Sequence, residues 1–456
     1  MSQETAVASQ PFVMDAAFWT ATAIFVVGYA LIASEKIHKT VVAIVGAALV
    51  LILKILEQHE AFHVEEFGVD WNVIFLLISM MVIINLMRPT GIFEYIAIKS
   101  AQLGRGEPFK IMAIFAVVTA VLSAFLDNVT TVLLITPVTI FIADALEVDP
   151  IPYLLSCALS SNIGGTATLI GDPPNIMIAS RAQLTFMDFV YHLTPVVVVL
   201  MVLYVGMIWL IWGRRLRTTE ECKRRILGMH AQEAVKDRTM LIKSLAVLAI
   251  VLGGFGLHGA LHLQPATIAL FGAGLLLLLS RNHELHHVLA EVEWPTIFFF
   301  IGLFIIVGAV VKVGLIRWMS LQILDLTEGN LFATSMVVMW FSAFASAIVD
   351  NIPYVATMNP LVVDMATQIW PDLSGLALLH HPDLMPLWWS LALGACLGGN
   401  GSAIGASANV IVVGMSEKAG RKISFVKFMV YGMPIMILTV IVATVYVWLR
   451  YYVLGI

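Results

Sequence analysis

Two short strings set a carboxylate and an amide between apolar arms: Phe125-Leu126-Asp127-Asn128-Val129-Thr130-Thr131 and Val349-Asp350-Asn351-Ile352-Pro353, with the aspartates 223 positions apart. An ionised carboxylate at the centre of a bilayer costs roughly 2.5–3.5 kcal/mol on insertion scales, so an Asp at such a place calls for a reason. One reason is chemistry: Asp127 and Asp350 bind a coupling cation or a proton, with Asn128, Thr130 and Asn351 beside them. The other is structure, because Asp and Asn cap helices and Asp127 stands just before a helix expected from near Thr130. Recurrence of the pair favours the first reading without removing the second.

A second kind of string carries the remaining oxygens. Ser161-Asn162-Ile163-Gly164-Gly165-Thr166-Ala167-Thr168-Leu169-Ile170-Gly171-Asp172-Pro173-Pro174-Asn175 sits where a membrane helix belongs, between apolar flanks. Gly and Pro end the helix there and free backbone N–H and C=O groups, which lipid cannot satisfy, so this backbone must face protein or a water-filled cavity. Gly398-Gly399-Asn400-Gly401-Ser402-Ala403-Ile404-Gly405-Ala406-Ser407-Ala408-Asn409 repeats the pattern without an aspartate or a proline. Helix ends meeting at membrane depth attract ions, anions at N-termini and cations at C-termini. Asn162, Gly164, Thr166, Thr168, Asp172, Asn175, Asn400, Ser402 and Asn409 are therefore candidate substrate ligands. Asp172 has no counterpart in the second string, which fits it for proton handling rather than for a symmetrical site. The bland reading of the glycines is close helix packing.

The elements that must hold these strings follow from composition. Of 456 residues, 60% are hydrophobic and 12% charged, and the mean hydropathy is +0.94, so the chain is an all-α polytopic membrane protein. The halves repeat: Asp70-Trp71 lies over Glu293-Trp294 and Asp127-Asn128 over Asp350-Asn351 at an offset of 223, Gly164-Gly165 over Gly398-Gly399, Gly171 over Gly405 and Asn175 over Asn409 at 234, and Pro195 over Pro434 at 239. Residues 1–212 form a first repeat, with a hairpin around 127 and a broken helix over 151–180. Residues 213–240 form a basic linker, and residues 241–456 a second repeat, with a hairpin around 350 and a broken helix over 387–415.

The basic linker, with Arg214, Arg215, Arg217, Lys223, Arg224, Arg225, Lys236 and Arg238, is expected in the cytoplasm. Lys36, Lys39, Lys418, Arg421, Lys422 and Lys427 then fall inside; the loop Glu57–Asp70, His380, His381 and both termini fall outside. Lys312 and Arg317 fall outside against the rule. The count closes with about ten transmembrane helices if the segments at Asp127 and Asp350 are re-entrant hairpins, five spans per repeat making the repeats inverted in topology. Gly91–Leu103 is expected along the cytoplasmic interface. The first 35 residues lack Lys and Arg, so no cleavable signal peptide is expected. The histidines at 258, 262, 283, 286, 287, 380 and 381 read as surface groups. Three cysteines make neither a disulfide framework nor a metal cluster, although Cys157 and Cys396 stand in or beside the broken helices, where a thiophilic metalloid would meet them.

Ser123-Ala124-Phe125-Leu126-Asp127-Asn128-Val129-Thr130-Thr131, Thr136-Pro137-Val138-Thr139-Ile140 and the run Asn162 to Asn175 resemble the ion transporter superfamily, in the branch of arsenite permeases, D-type sodium/proton antiporters and the melanosomal P protein. The resemblance spans nearly the whole chain. It implies an elevator-type secondary transporter of the plasma (inner) membrane, often dimeric, with a scaffold and a moving domain that carries the hairpins and broken helices. Sodium-coupled carboxylate members carry Ser-Asn-Thr at the hairpin tips where this chain has Asp127-Asn128 and Asp350-Asn351, a departure that argues against dicarboxylate. No Lys or Arg at mid-membrane is expected to clamp a multicarboxylate.

The expected function is proton-coupled transport of an inorganic ion, with arsenite/antimonite efflux first, sodium/proton antiport second and an anion transporter or channel of the same fold as the further alternative. The expected partners are membrane lipid, the transported ion, protons or sodium, and a second copy of the chain. No Gly-x(4)-Gly-Lys-[Ser/Thr] occurs, so ATP-driven pumping would need a separate ATPase subunit docked on the linker. No cofactor, metal, nucleic-acid partner or enzymatic activity is expected. Two membrane aspartates could serve an aspartyl protease, but their equivalent positions in two repeats speak against it.

Overall fold

The computed structural model describes residues 14–34, 36–64, 67–280 and 285–455, so residues 1–13 and His283 lie outside the described residues. Regular structure among them is entirely helical. Among the described residues nine helices are long and apolar enough to cross a membrane. Six are simple candidates for spans: Ala16–Ser34, Trp71–Met87 with its 3₁₀ extension to Thr90, Thr194–Trp212, Arg238–Leu261, Trp294–Lys312 and Phe425–Val447 with its extension to Val453. The other three are Pro108–Phe125, Asn128–Ala145 and Leu331–Ile348. Lys39–Ile52 and Pro265–Leu279 are apolar but shorter.

Matching positions start matching helices. Trp71 and Trp294, Ile92 and Leu315, Pro108 and Leu331, and Asn128 and Asn351 each begin a helix and each lie 223 residues apart. Gly91 and Gly314, at the same offset, take nearly the same left-handed conformation, φ 81°, ψ 15° and φ 86°, ψ 12°, which side chains with a Cβ disfavour. A helix, Ile92–Leu103, occupies the stretch Gly91–Leu103.

The hairpins follow from contacts along the broken helices. Tyr153 donates from its hydroxyl to Pro108 O over 2.6 Å, Gly164 lies against the Ala120 backbone, and the Thr168 hydroxyl donates to Ala124 O. The Pro108–Phe125 arm therefore runs parallel to the first broken helix. Asn128 meets Asn162 at 3.2 Å and Thr139 meets Cys157 at 3.8 Å, so the Asn128–Ala145 arm runs back. The chain reverses at Leu126-Asp127, and both ends of the hairpin lie together. In the second half Ser342 Oγ meets the Tyr354 hydroxyl at 2.9 Å across the turn at Val349-Asp350, which reverses the chain in the same way.

Packing sorts the helices into two groups. Ala16–Ser34, Lys39–Ile52, Trp71–Met87, Arg238–Leu261, Pro265–Leu279 and Trp294–Lys312 pack mainly on one another. The hairpins, the broken helices, Thr194–Trp212 and Phe425–Val447 form the other group. His258 joins the groups: it is buried, and its Nε2 accepts the Phe186 N–H at 3.0 Å. It is a core histidine rather than the surface group expected from its place in the sequence.

The linker is docked rather than free. It holds the helix Glu220–Leu227, and Lys223 bridges Glu107 and Glu220 at 2.8 Å each. Gln102 donates to Met229 O at 2.7 Å, and the Lys236 N–H to Thr90 O at 3.0 Å. Lys312, expected outside against the charge rule, finds Glu60 at 2.6 Å in the short helix Gln58–His63. Burial tends to raise the Glu60 carboxyl, but the hydrogen bond from Lys312, the Glu57 N–H and nearby positive charge bring it below its usual 4.5. A lowered carboxylate adds stability above its unfolded value and loses it as pH falls through the folded one. Lys312→Gln should therefore cost about 0.2–1 kcal/mol at neutral pH. Thermal unfolding in detergent should show that difference vanishing in acid below the lowered Glu60 value.

Candidate functional site

Each broken helix is held open by one asparagine. The first runs Ile151–Gly165, ends with a last helical bond from the Thr166 N–H to Asn162 O, and resumes as Pro173–Ala182. The Asn175 amide donates to Thr168 O at 2.9 Å, Thr166 O at 3.2 Å and Gly165 O at 3.3 Å, so the carbonyls freed by the break find a donor. The second runs Met385–Gly398 and Ser407–Lys418, and Asn409 donates to Gly399 O at 2.7 Å and Ser402 O at 2.9 Å. Glycines let these breaks close on the hairpins: a Cβ on Gly398 would lie 2.6 Å from Ala343 Cα, and Gly164 lies as closely on Ala120. Ser123 and Ser346, equivalent by position, bind the broken helices through Ser161 O and Ala395 O, 2.7 Å each.

The two breaks cross. Asn162 is the hub: its amide donates at 3.0 Å to both Asn400 Oδ1 and Asn409 Oδ1, and its own Oδ1 accepts from Asn128 at 3.2 Å. Both amide hydrogens of that side chain are thereby in use, with one of the two acceptor sites on its oxygen. Cys396 occupies the position equivalent to Asn162, and its thiol meets Asn175 Oδ1 at 3.5 Å, the counterpart of the Asn162–Asn409 contact. All of these groups are buried. Among the described residues Asn128 Oδ1 and Asn400 Nδ2 have no protein partner.

Asp172 lies in the middle of this crossing rather than apart from it. It is 1% exposed, and Asn351 from the opposite hairpin donates to both of its oxygens, at 3.3 and 3.2 Å. Asn128 and Cys396 also face it, with the Asp350 charge nearby. The position equivalent to Asp172 is Ala406, so the crossing carries its carboxylate on one side only.

The two hairpin aspartates differ. Asp127 caps the Asn128–Ala145 helix, its oxygens accepting the Thr130 N–H at 2.8 Å and the Thr130 hydroxyl at 2.6 Å. Asp350 caps Ile352 at 3.2 Å and also takes the Lys39 ammonium at 2.6 Å and the Ser407 hydroxyl at 2.7 Å. A basic residue thus does reach a hairpin tip, contrary to expectation. The signal was the short apolar run after Lys39: a 14-residue helix starts at that residue, about 21 Å long, too little to span the roughly 30 Å core. The hydroxyls of Thr166, Thr168 and Ser402 donate to the backbone carbonyls of Asn162, Ala124 and Ala347 and so hold the fold of the breaks. Cys157 lies against Thr139.

The sequence profile described as citrate transporter matches residues 29–394. The chain is similar to an uncharacterized transporter of Mycobacterium tuberculosis (strain H37Rv), 45% identical over 436 residues that cover 95% of this chain and 99% of that one. It is similar to the 46 kDa membrane protein of Mycobacterium leprae, 43% identical over 435 residues that cover 95% and 99%. The P protein of Homo sapiens is 33% identical over 517 residues, covering 95% of this chain and 60% of its own length.

Proposed function

The chain belongs to the citrate transporter family and is a membrane transporter, not an enzyme, and from that premise we propose a secondary transporter that couples one small inorganic ion to the proton gradient. The crossing of the broken helices is its binding site. The observation that carries this reading is Asp172, a buried carboxylate whose hydrogen bonds come from the amide of Asn351. A carboxylate at that depth calls for a proton or a cation. The amides around it, with an open acceptor on Asn128 and an open donor on Asn400, suit a small ion or a hydroxide better than a multicarboxylate.

Arsenite or antimonite is the first substrate to test, because an oxygen-rich hydroxide of a thiophilic element matches amides set beside the Cys396 thiol. Sodium/proton antiport is the second, carried by the two carboxylates Asp172 and Asp350. Asp127, Thr130, Gly164, Thr166, Thr168 and Ser402 act as caps and backbone supports in this conformation. The two packing groups serve as scaffold and moving domain of an elevator built from inverted repeats, 1–212 and 241–456, with re-entrant hairpins, both termini outside the inner membrane and a homodimer as the working unit. An ATPase subunit would dock on the cytoplasmic linker 213–240.

Purified protein in liposomes, loaded with a pH-sensitive dye, is challenged in turn with sodium, lithium, chloride, arsenite and citrate. The expected result is a proton flux set off by arsenite or by sodium and lost in Asp350→Asn. Flux that ignores the proton gradient would make the protein a channel, and a flux set off by citrate alone would overturn the inorganic substrate.

A further inference from the structure

Lys39 and Asp350 belong to different packing groups. Lys39 begins the helix Lys39–Ile52, which packs along Trp294–Lys312, whereas Asp350 caps the second hairpin's return arm, Asn351–Ile369. Their contact is a closed triangle: Lys39 Nζ to Asp350 Oδ2 2.6 Å, Lys39 Nζ to Ser407 Oγ 2.7 Å, and Ser407 Oγ to Asp350 Oδ2 2.7 Å. The ammonium also lies 4.9 Å from the centre of the Phe299 ring. Beside it, Tyr29 from the helix Ala16–Ser34 donates to Pro353 O at 2.6 Å and meets Thr357 Oγ1 at 2.7 Å. The charged and titratable groups facing the pair are Glu293 and His38 on the Lys39 side and Asp172 on the Asp350 side.

We propose that the Lys39 ammonium is a tethered competitor for the coupling ion, holding Asp350 until a free proton or alkali cation replaces it and thereby unfastens the second hairpin from the Ala16–Ile52 helices. The inference rests on the reading of Asp350 as an ion-coupling residue. Asp350 carries one negative charge, and Lys39 matches it while reaching from the other group. A proton or a monovalent cation matches it equally but carries no tether, so the exchange keeps Asp350 neutralised, removes the cross-link and adds one positive charge, carried by the released Lys39. Lys39 keeps its own proton and turns to water, which its partial exposure of 27% allows. The Tyr29 contacts, neutral and short in reach, then remain the weaker fastening. A competitor at high local concentration lowers the apparent affinity for the free ion in proportion to its own occupancy.

The test uses the full-length protein in liposomes, with protons and sodium as separate probes, in wild type, Lys39→Gln, Lys39→Arg and Asp350→Asn. Lys39→Gln should raise the apparent affinity for the coupling ion at least tenfold. If the ion is the proton, the flux midpoint moves up by about one pH unit or more; if it is sodium, the half-saturating sodium falls tenfold. Lys39→Arg, which keeps a tethered charge, should stay near wild type. A second measurement needs no variant: hydrogen exchange in wild type, corrected for intrinsic rates, should speed up over Asn351–Thr357 when the coupling ion is added. If Asp350→Asn abolishes coupling while Lys39→Gln leaves the affinity unchanged and exchange does not respond, the competitor is overturned and the coupling role of Asp350 stands. If Asp350→Asn leaves coupling intact, the reading of Asp350 fails, and the inference with it. Should Lys39→Gln not fold, the exchange measurement decides.

Discussion

Asp172→Asn should lower coupled transport at least a hundredfold while leaving the protein folded. A hundredfold loss corresponds to about 2.7 kcal/mol. The substitution keeps the shape and an acceptor oxygen, so Asn351 still has a partner, and it removes the charge that calls for a proton or cation at the crossing. Fold retention follows from the contacts: Asp172 is bonded by an amide that an Asn oxygen also serves, and the break itself is held by Asn175. Asp172→Ala is a poorer probe, because it leaves Asn351 unpaired in a buried place. The measurement is proton-linked flux in liposomes beside thermal unfolding in detergent. Wild-type flux in a folded Asp172→Asn protein would move the coupling charge to Asp350. Asp127→Asn should be mild by comparison, since Asn also caps helices and the Asp127 oxygens are taken up by Thr130.

Much of this arrangement could be read in the sequence, and what escaped has a physical cause. The offsets of 223 and 234 pointed to the interruptions after Gly165 and Gly398 and to the turns before Asn128 and Asn351, because glycines joined by polar residues weaken a helix inside an apolar stretch, whereas Gly253, Gly254 and Gly256 alone leave Arg238–Leu261 continuous. The offsets also paired Asn175 with Asn409, and the structure gives those two the same task. Contacts between the halves were harder to foresee. Nothing local tells that Asn162 spans to Asn400 and Asn409, or that Asn351 reaches Asp172, because these depend on how two repeats dock. Asp172 was set apart for lacking a counterpart, whereas a crossing of two unlike breaks needs only one carboxylate to have one at its centre. Lys39 was counted as a marker of orientation, although the short helix behind it placed its amine within reach of membrane depth. His258 was assigned to the surface by its neighbours in sequence, yet it packs against Phe186 N–H from the other helical group.

Asn175→Ala should be strongly destabilising. The two hydrogens of its amide are shared among three carbonyls, Gly165, Thr166 and Thr168, which are freed where the helix stops. In water such groups would find solvent, but at membrane depth they do not, and each buried group left unpaired costs about 1–3 kcal/mol. Losing both donors is worth several kcal/mol, enough to show as a large fall in melting temperature or as protein that does not stay monodisperse in detergent. Asn409→Ala should cost a comparable amount, because it leaves two carbonyls, Gly399 and Ser402, without their donor and the Asn162 amide without one of its acceptors. Asn175→Asp tests the cause rather than the size: it preserves the shape but turns carboxylate oxygens toward carbonyl oxygens, so it should be at least as damaging as Ala. Thermal unfolding of the three variants ranks them. If Asn175→Asp or both alanine variants proved as stable as wild type, the breaks would be held by packing of Gly164 on Ala120 and Gly398 on Ala343 instead of by the amides.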